Sequence, residues 1–340
     1  MGHYAVLVPA YTGHLNPMLV LARALERRGH RISVVAPADA EAKVRRAALA
    51  FIPIARREFP PGEWPRVTAR AGELTGFAAT RAAARVLALL ARSVQRELPD
   101  IAAREHFDGL VMDQICVGTE GVCQVIGLPL AVGCAALTFH IESRVPPATF
   151  AWRYRPALPF RVRNTIGQFA FNLTGWSVAR EVAPYRFRHH LRPMGYHYIN
   201  ELRPSLVQVA QQPACFDFPR RHLPDHFHYT GPWIDDVAGG QRNFPWDRLD
   251  GRPMIYASLG TLQNRMESVF RLIAAACAGL DVQLVLALGR EGASLGGSLP
   301  GDPIVVGYAP QPELVRRATL AISHGGLNTT LECLRAGVPM

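Results

Sequence analysis

With 340 residues, 49% of them hydrophobic and 19% charged, the chain has room for two globular cores, and no apolar run of about 18 residues marks a membrane span. Its 37 basic and 27 acidic residues give a net charge of +10, but no DNA- or RNA-binding motif accompanies that charge, so nucleic acid is not an expected partner. Six cysteines without C-x-x-C spacing and twelve histidines without H-E-x-x-H spacing predict neither a disulfide framework nor a metal site.

The N-terminus, MGHYAVLVPAYTGH, lacks the basic n-region of a signal peptide, and Val6 stands where a myristoylation signal needs Ser or Thr. A cytoplasmic chain is the expectation. Tyr4 to Pro9 reads as a buried parallel strand and Ala10 to Asn16 as a loop. Asn16-Pro17 reads as a helix start, with Met18, Leu21, Ala22 and Leu25 on one face and Gly29 just past the end. Arg31 to Ala36 is a second strand. This βαβ unit implies a doubly wound parallel sheet. An Ala-rich helix follows over about 76–97, then a strand from Asp108 ending at Asp113, a helix over Thr119–Ile126 and a strand over Leu130–Gly133.

Residues from about 145 to 205 break the βα alternation and read as a helical insertion. Between Arg144 and Arg192 there are nine arginines and one acid, Glu181, interleaved with aromatic residues such as Trp152, Phe160 and Trp176. Such a stretch suits a membrane surface or nucleic acid, or else a solvated basic face over a buried apolar helix stripe. Ala214 to Pro219 reads as a short strand. The Gly-, Pro- and Asp-rich segment 231–253 reads as an interdomain linker. A second α/β series then begins, with strands at Met254–Ser258, Val282–Leu288, Ile304–Val306 and Leu320–Ser323 and a helix over Glu267–Ala278.

The last strand runs into His324-Gly325-Gly326 and a helix opening near Asn328. Glycines admit close backbone approach, and a helix start offers unpaired N–H groups at a positive dipole end. Strand, glycine turn and helix start together make a seat for a phosphate, with His324 as a donor and Glu332 as an acceptor for ribose hydroxyls. Thr329-x-x-Glu332 also fits a capping box, which needs no ligand.

Five segments together carry a resemblance: Gly13-His14-Leu15-Asn16-Pro17, Phe216-Asp217-Phe218-Pro219-Arg220, Tyr229-Thr230-Gly231-Pro232, Ile255–Thr261 and Gly307–Met340. In this order the chain resembles the GT-B glycosyltransferases that use nucleotide sugars on natural products, the macrolide-type and the carotenoid (zeaxanthin-type) glucosyltransferases above all. The resemblance implies an α/β fold of two Rossmann-like, doubly wound parallel-sheet domains facing a cleft. It implies an acceptor-binding domain over 1–230, the linker 231–253, and a nucleotide-sugar-binding domain over 254–340.

The implied chemistry is transfer of a hexose, glucose by family expectation, from a UDP-sugar to a hydroxyl of a lipophilic acceptor, with inversion. His14 matches the general base and Asp113 the carboxylate that orients it. Ser258 and Thr261 match residues near the diphosphate, and Tyr308 stands where relatives often have a base-stacking Trp, with Gln311 beside it. His324, Gly326, Asn328 and Thr329 match the pyrophosphate cradle and Glu332 the ribose carboxylate. No metal or other cofactor is implied, since His324 and the helix start hold the leaving diphosphate. Neither first strand carries G-x-G-x-x-G, which argues against an NAD enzyme. Family members continue past the equivalent of Pro339 into an acidic-Gln pair that reads the sugar, so the second domain is expected to be incomplete here. That leaves open a fragment or pseudoenzyme that at most binds nucleotide. A glycolipid-forming relative touching the membrane through Arg144–Arg192 is a further alternative.

Overall fold

The computed structural model describes residues 1–74, 76–195, 205–234, 244–261 and 266–340. It divides into two compact units, Met1–Trp233 and Ile234–Met340. The 235–243 part of the expected linker and the 196–204 part of the expected insertion lie outside the described residues.

The first unit runs β1 (His3–Leu7), α1 (Thr12–Glu26), β2 (Arg31–Ala36), α2 (Glu41–Arg46), β3 (Ala50–Pro53), α3 (Glu63–Gly72) and α4 (Gly76–Glu105). It continues with β4 (Gly109–Asp113), α5 (Thr119–Ile126), β5 (Leu130–Cys134), α6 (Leu158–Thr174), α7 (Trp176–Arg188), β6 (Ser205–Ala210) and β7 (Phe227–Tyr229). Its seven strands are ordered β3-β2-β1-β4-β5-β6-β7, and all their pairings are parallel. All five residues of β4 are buried, because helices cover both faces of a parallel sheet. One face packs Leu7, Leu98, Leu110 and Met112; the other packs Val6, Leu15, Met18 and Val34. The order reverses between β1 and β4, so the crevice of this sheet opens beyond the ends of those two strands.

The second unit runs β8 (Met254–Ser258), α8 (Glu267–Cys277), β9 (Gln283–Ala287), β10 (Ile304–Val306), α9 (Gln311–Arg317), β11 (Leu320–Ser323) and α10 (Leu327–Ala336). Its smaller sheet has four parallel strands ordered β10-β9-β8-β11, with its reversal between β8 and β11. Residues 244–253 belong to this unit instead of hanging free as a linker. Phe244 is buried in its core, Arg317 stacks 4.5 Å over the Trp246 ring, and Gln283 Nε2 donates to the Arg248 carbonyl at 2.7 Å.

Several expected boundaries move. Helix α1 starts at Thr12, not at Asn16. Tyr11 caps it in extended conformation, its carbonyl accepting from His14 N (3.0 Å) and Leu15 N (2.8 Å). Pro17 is therefore inside the helix and Asn16 is exposed. The buried face is Leu15, Met18, Leu19 and Ala22, rotated from the expected one. Helix α4 continues through Pro99 to Glu105. Ala214 to Pro219 is not a strand. It is a 3-10 turn over Ala214–Phe216, after which the Asp217 carboxylate, not a neighbouring strand, takes the Phe218 amide at 2.7 Å.

Candidate active site

In the first unit, Asp113 ends β4 and His14 sits in the first turn of α1, which follows β1. The two strands pair Leu7 with Met112, so their ends lie side by side at the reversal point of the sheet. His14 Nδ1 meets Asp113 Oδ2 at 2.9 Å, and Asp113 is fully buried. The other carboxylate oxygen, Oδ1, accepts from the Ile115 amide at 3.0 Å. With a proton on Nδ1, facing the carboxylate, the lone pair falls on Nε2. The pair can then take a proton from a hydroxyl and stabilise the imidazolium formed. About a fifth of the His14 side chain, 19%, is open to solvent.

Buried side chains surround this pair. The Tyr11 ring lies 6.2 Å from the imidazole and packs edge-on against Trp64 at 4.9 Å, and burial pushes its phenol up to about 12. The thiols of Cys116 and Cys134 are also pushed up, first by burial and then by the charge of Asp113, so they stay neutral.

The FDFPR and YTGP segments are joined by one hydrogen-bonded assembly. Arg220 donates to Asp217 Oδ2 (2.7 Å) and to the His140 carbonyl (2.7 Å), and Tyr229 Oη donates to the same Asp217 oxygen at 2.7 Å. The side chains of Arg220 and Asp217 are only 6% and 5% exposed. They tie the end of the unit to the loop that follows β5.

In the second unit, Ser258 ends β8 and pairs in register with Ser323, the last residue of β11. His324 follows at once. Its imidazole is clamped between two glycines: a Cβ on Gly260 would come within 2.5 Å of the ring and one on Gly326 within 2.7 Å. Gly260 also has φ +75°, a conformation L side chains rarely adopt. His324 remains exposed, but its packing against the two glycines removes part of its hydration. That desolvation lowers its pKa below the usual imidazole value, against a hydrogen bond to the Ser258 backbone.

Gly326 caps α10, and no side chain caps that helix. The capping-box reading of Thr329 and Glu332 therefore fails. The helix starts at Leu327, two residues too early for Thr329 to cap it. Instead Gln311 Nε2 donates to Glu332 Oε2 (2.8 Å) and to Thr329 Oγ1 (3.1 Å), while its Oε1 accepts from the Tyr256 hydroxyl at 2.9 Å. Tyr256 is buried, which raises its phenol pKa and keeps it a donor. It is the member of this cluster that sequence reading misses; the signal was its place within an otherwise apolar strand.

The expected donor residues thus form two groups. Ser258, His324 and Gly326 meet at the ends of β8 and β11. Gln311, Thr329 and Glu332 meet between α9 and α10. Thr261, Tyr308 and Asn328 stand in the turn after β8, the turn before α9 and the first turn of α10. A helix start without a side-chain cap at Gly326, beside a clamped imidazole, is suited to hold an anionic diphosphate.

No family model matches the chain. Curated proteins do. It is 29% identical over 346 residues to the zeaxanthin glucosyltransferase of Pantoea ananas, covering 100% of this chain and 79% of that protein. It is 28% identical to the O-mycaminosyltylonolide 6-deoxyallosyltransferase of Streptomyces fradiae, covering 98% and 78%. Among solved structures, the glycosyltransferase SsfS6 of Streptomyces sp. SF2575, complexed with thymidine diphosphate, superposes over 100% of this chain and 81% of its own, with a TM-score of 0.63 and 17% identity. The chain is similar in sequence and fold to the GT-B glycosyltransferases. The expected α/β fold and glycosyltransferase kinship both stand. Among the described residues no helix is long and apolar enough to cross a membrane.

Proposed function

We propose that the protein transfers a hexose, glucose in the first instance, from a UDP-sugar to a hydroxyl of a lipophilic acceptor such as a carotenoid or polyketide. The observation that carries this reading is the His14–Asp113 pair at the reversal point of the first sheet. In it, His14 takes the acceptor proton as the oxygen attacks the anomeric carbon. The sugar–phosphate bond breaks on the opposite face, and the anomeric centre inverts. Asp113 holds the imidazole and balances its charge. The departing diphosphate is held by His324 and the amides at the start of α10, with no metal required. Glu332 and Gln311 take the ribose hydroxyls, and Tyr308 stacks on the base. The kinship with a zeaxanthin glucosyltransferase supports the carotenoid branch of this reading, and that with a macrolide enzyme supports the polyketide branch.

The test is incubation with UDP-glucose and a panel of lipophilic alcohols, zeaxanthin included, with products read by mass spectrometry and anomeric configuration by NMR. A β-glucoside formed from the α-linked donor, unchanged by EDTA, is the expected result. Retention of the α configuration, or a requirement for divalent metal, would sink the proposed mechanism. UDP-glucose binding without transfer to any acceptor would leave a nucleotide-binding pseudoenzyme.

A further inference from the structure

Helix α6 is amphipathic in the inverse sense for a helix of a globular core. Its inward side carries Asn164, Gly167, Gln168 and Thr174, all buried. Asn164 Nδ2 donates to the Ser143 carbonyl at 3.1 Å, and Gly167 lies so close to Trp152 that a Cβ would come within 2.5 Å of that ring. Its outward side carries Leu158, Val162, Ile166, Phe169 and Leu173, at the recurring three- and four-residue spacing of a single helical face. Each is more than half exposed, from 53% at Val162 to 68% at Leu158, and Trp176 just beyond is 66% exposed. From Leu158 to Leu173 the stripe extends about 22 Å along the helix. Beside it, Phe77, Phe150, Trp152, Val162 and Ile166 line an open apolar groove of about 510 Å³.

The charge around this face has one sign. Helix α6 contains no acidic residue. Arg155 lies 5.0 Å over the Phe160 ring and Arg163 lies 4.6 Å over Trp152, which gathers arginines at the N-terminal end of the stripe. Arg153 and Arg155 are exposed. The one acid between Arg144 and Arg192, Glu181, is already engaged by Arg92 at 2.7 Å. A second copy of this face would bring arginines against arginines. An anionic lipid surface offers both an apolar layer for the stripe and phosphates for the guanidinium groups.

We propose that α6 lies in the plane of an anionic bilayer, its outward stripe at the headgroup–acyl boundary and Arg153 and Arg155 on lipid phosphates. The inference rests on the lipophilic-acceptor reading only for the use of such contact; the contact itself is read from α6.

Vesicle flotation of the full chain tests it, with phosphatidylcholine alone and with about one-third phosphatidylglycerol, at low and high salt. The protein should float with the anionic vesicles at low salt, and less with neutral vesicles or at high salt. The double substitution Ile166→Glu, Phe169→Glu should abolish flotation. Arg153→Gln with Arg155→Gln should weaken it by about 25-fold, at about five-fold for each arginine. All four positions are on the surface, and an unchanged melting temperature with retained UDP binding reports that the variants fold. Absence of flotation with anionic vesicles at low salt overturns the proposal, as does flotation unchanged by the two glutamates. So does a lipid-free dimer, seen by light scattering, that the glutamates dissolve, since a second copy then covers the stripe. Flotation does not depend on catalysis: loss of transfer with vesicle binding intact counts against the transfer reaction alone.

Discussion

His14 and Asp113 are 99 positions apart in sequence and 2.9 Å apart in space. If His14 is the base, His14→Ala should lower kcat by about a hundred- to ten-thousand-fold while UDP-glucose affinity, measured by calorimetry, stays unchanged. Asp113→Asn should fall in the same range, because an amide neither fixes the proton on Nδ1 nor balances the imidazolium. Transfer undiminished by either change would remove the pair from the mechanism. At the donor side, desolvation opposes protonation of His324 in the free protein, and a bound diphosphate favours it. UDP-glucose affinity should therefore rise as pH falls through the range below 6.5, and calorimetry on His324→Ala should find that rise gone. The individual residues were legible because chemistry-bearing side chains stand at strand ends, where motif and pattern coincide. The Gln311 cluster was legible only in part. That Gln311 bridges Tyr256, Thr329 and Glu332 depends on how α9 and α10 pack, and no local spacing encodes it.

Strands were easier to read than helix starts. Met254–Ser258, Ile304–Val306 and Leu320–Ser323 form where the short apolar runs place them, because burial on both faces leaves an uninterrupted apolar signature. Asn-Pro suggested the start of α1, but the Tyr11 carbonyl begins the helix a turn earlier, and Pro17 is accommodated inside. In α6 the periodicity was visible and its direction was not. A hydrophobic stripe normally faces a core, and only the tertiary structure reveals that Asn164 and Gln168 turn inward. At the turn after β8, Gly260→Val would drive a side chain into His324 and force a β-branched residue to φ +75°. We expect about 1–3 kcal/mol of destabilisation by chemical denaturation and at least about a tenfold loss of UDP-glucose affinity, for 1.4 kcal/mol or more of lost contact. Normal affinity in this variant would remove the glycine clamp from the donor site.

Across the whole molecule, alternation of strand and helix predicted two doubly wound sheets, and the two units have them, with seven and four strands among the described residues. Strands β6 and β7 were missed because β6 begins where the segment read as a helical insertion ends, and β7 has three residues. At that edge the Asp217–Arg220–Tyr229 assembly, with the side chains of Asp217 and Arg220 buried, ties β7 to the loop after β5. Arg220→Ala leaves a carboxylate buried without its partner, and should destabilise the protein by roughly 3–5 kcal/mol in denaturant titrations. A loss below about 1 kcal/mol, as for a surface pair, would show that the assembly bears little of the stability.

Each unit also completes its own share of the proposed chemistry: proton acceptance within 1–233 and diphosphate holding within 234–340. Ancestry can therefore act on the two shares independently. A recombination event near codon 233 could hand the proton-accepting half a donor half from another lineage without severing either cluster of interacting side chains. New pairings of sugar and acceptor would then arise from a single crossover, with no need to rebuild a reaction centre residue by residue.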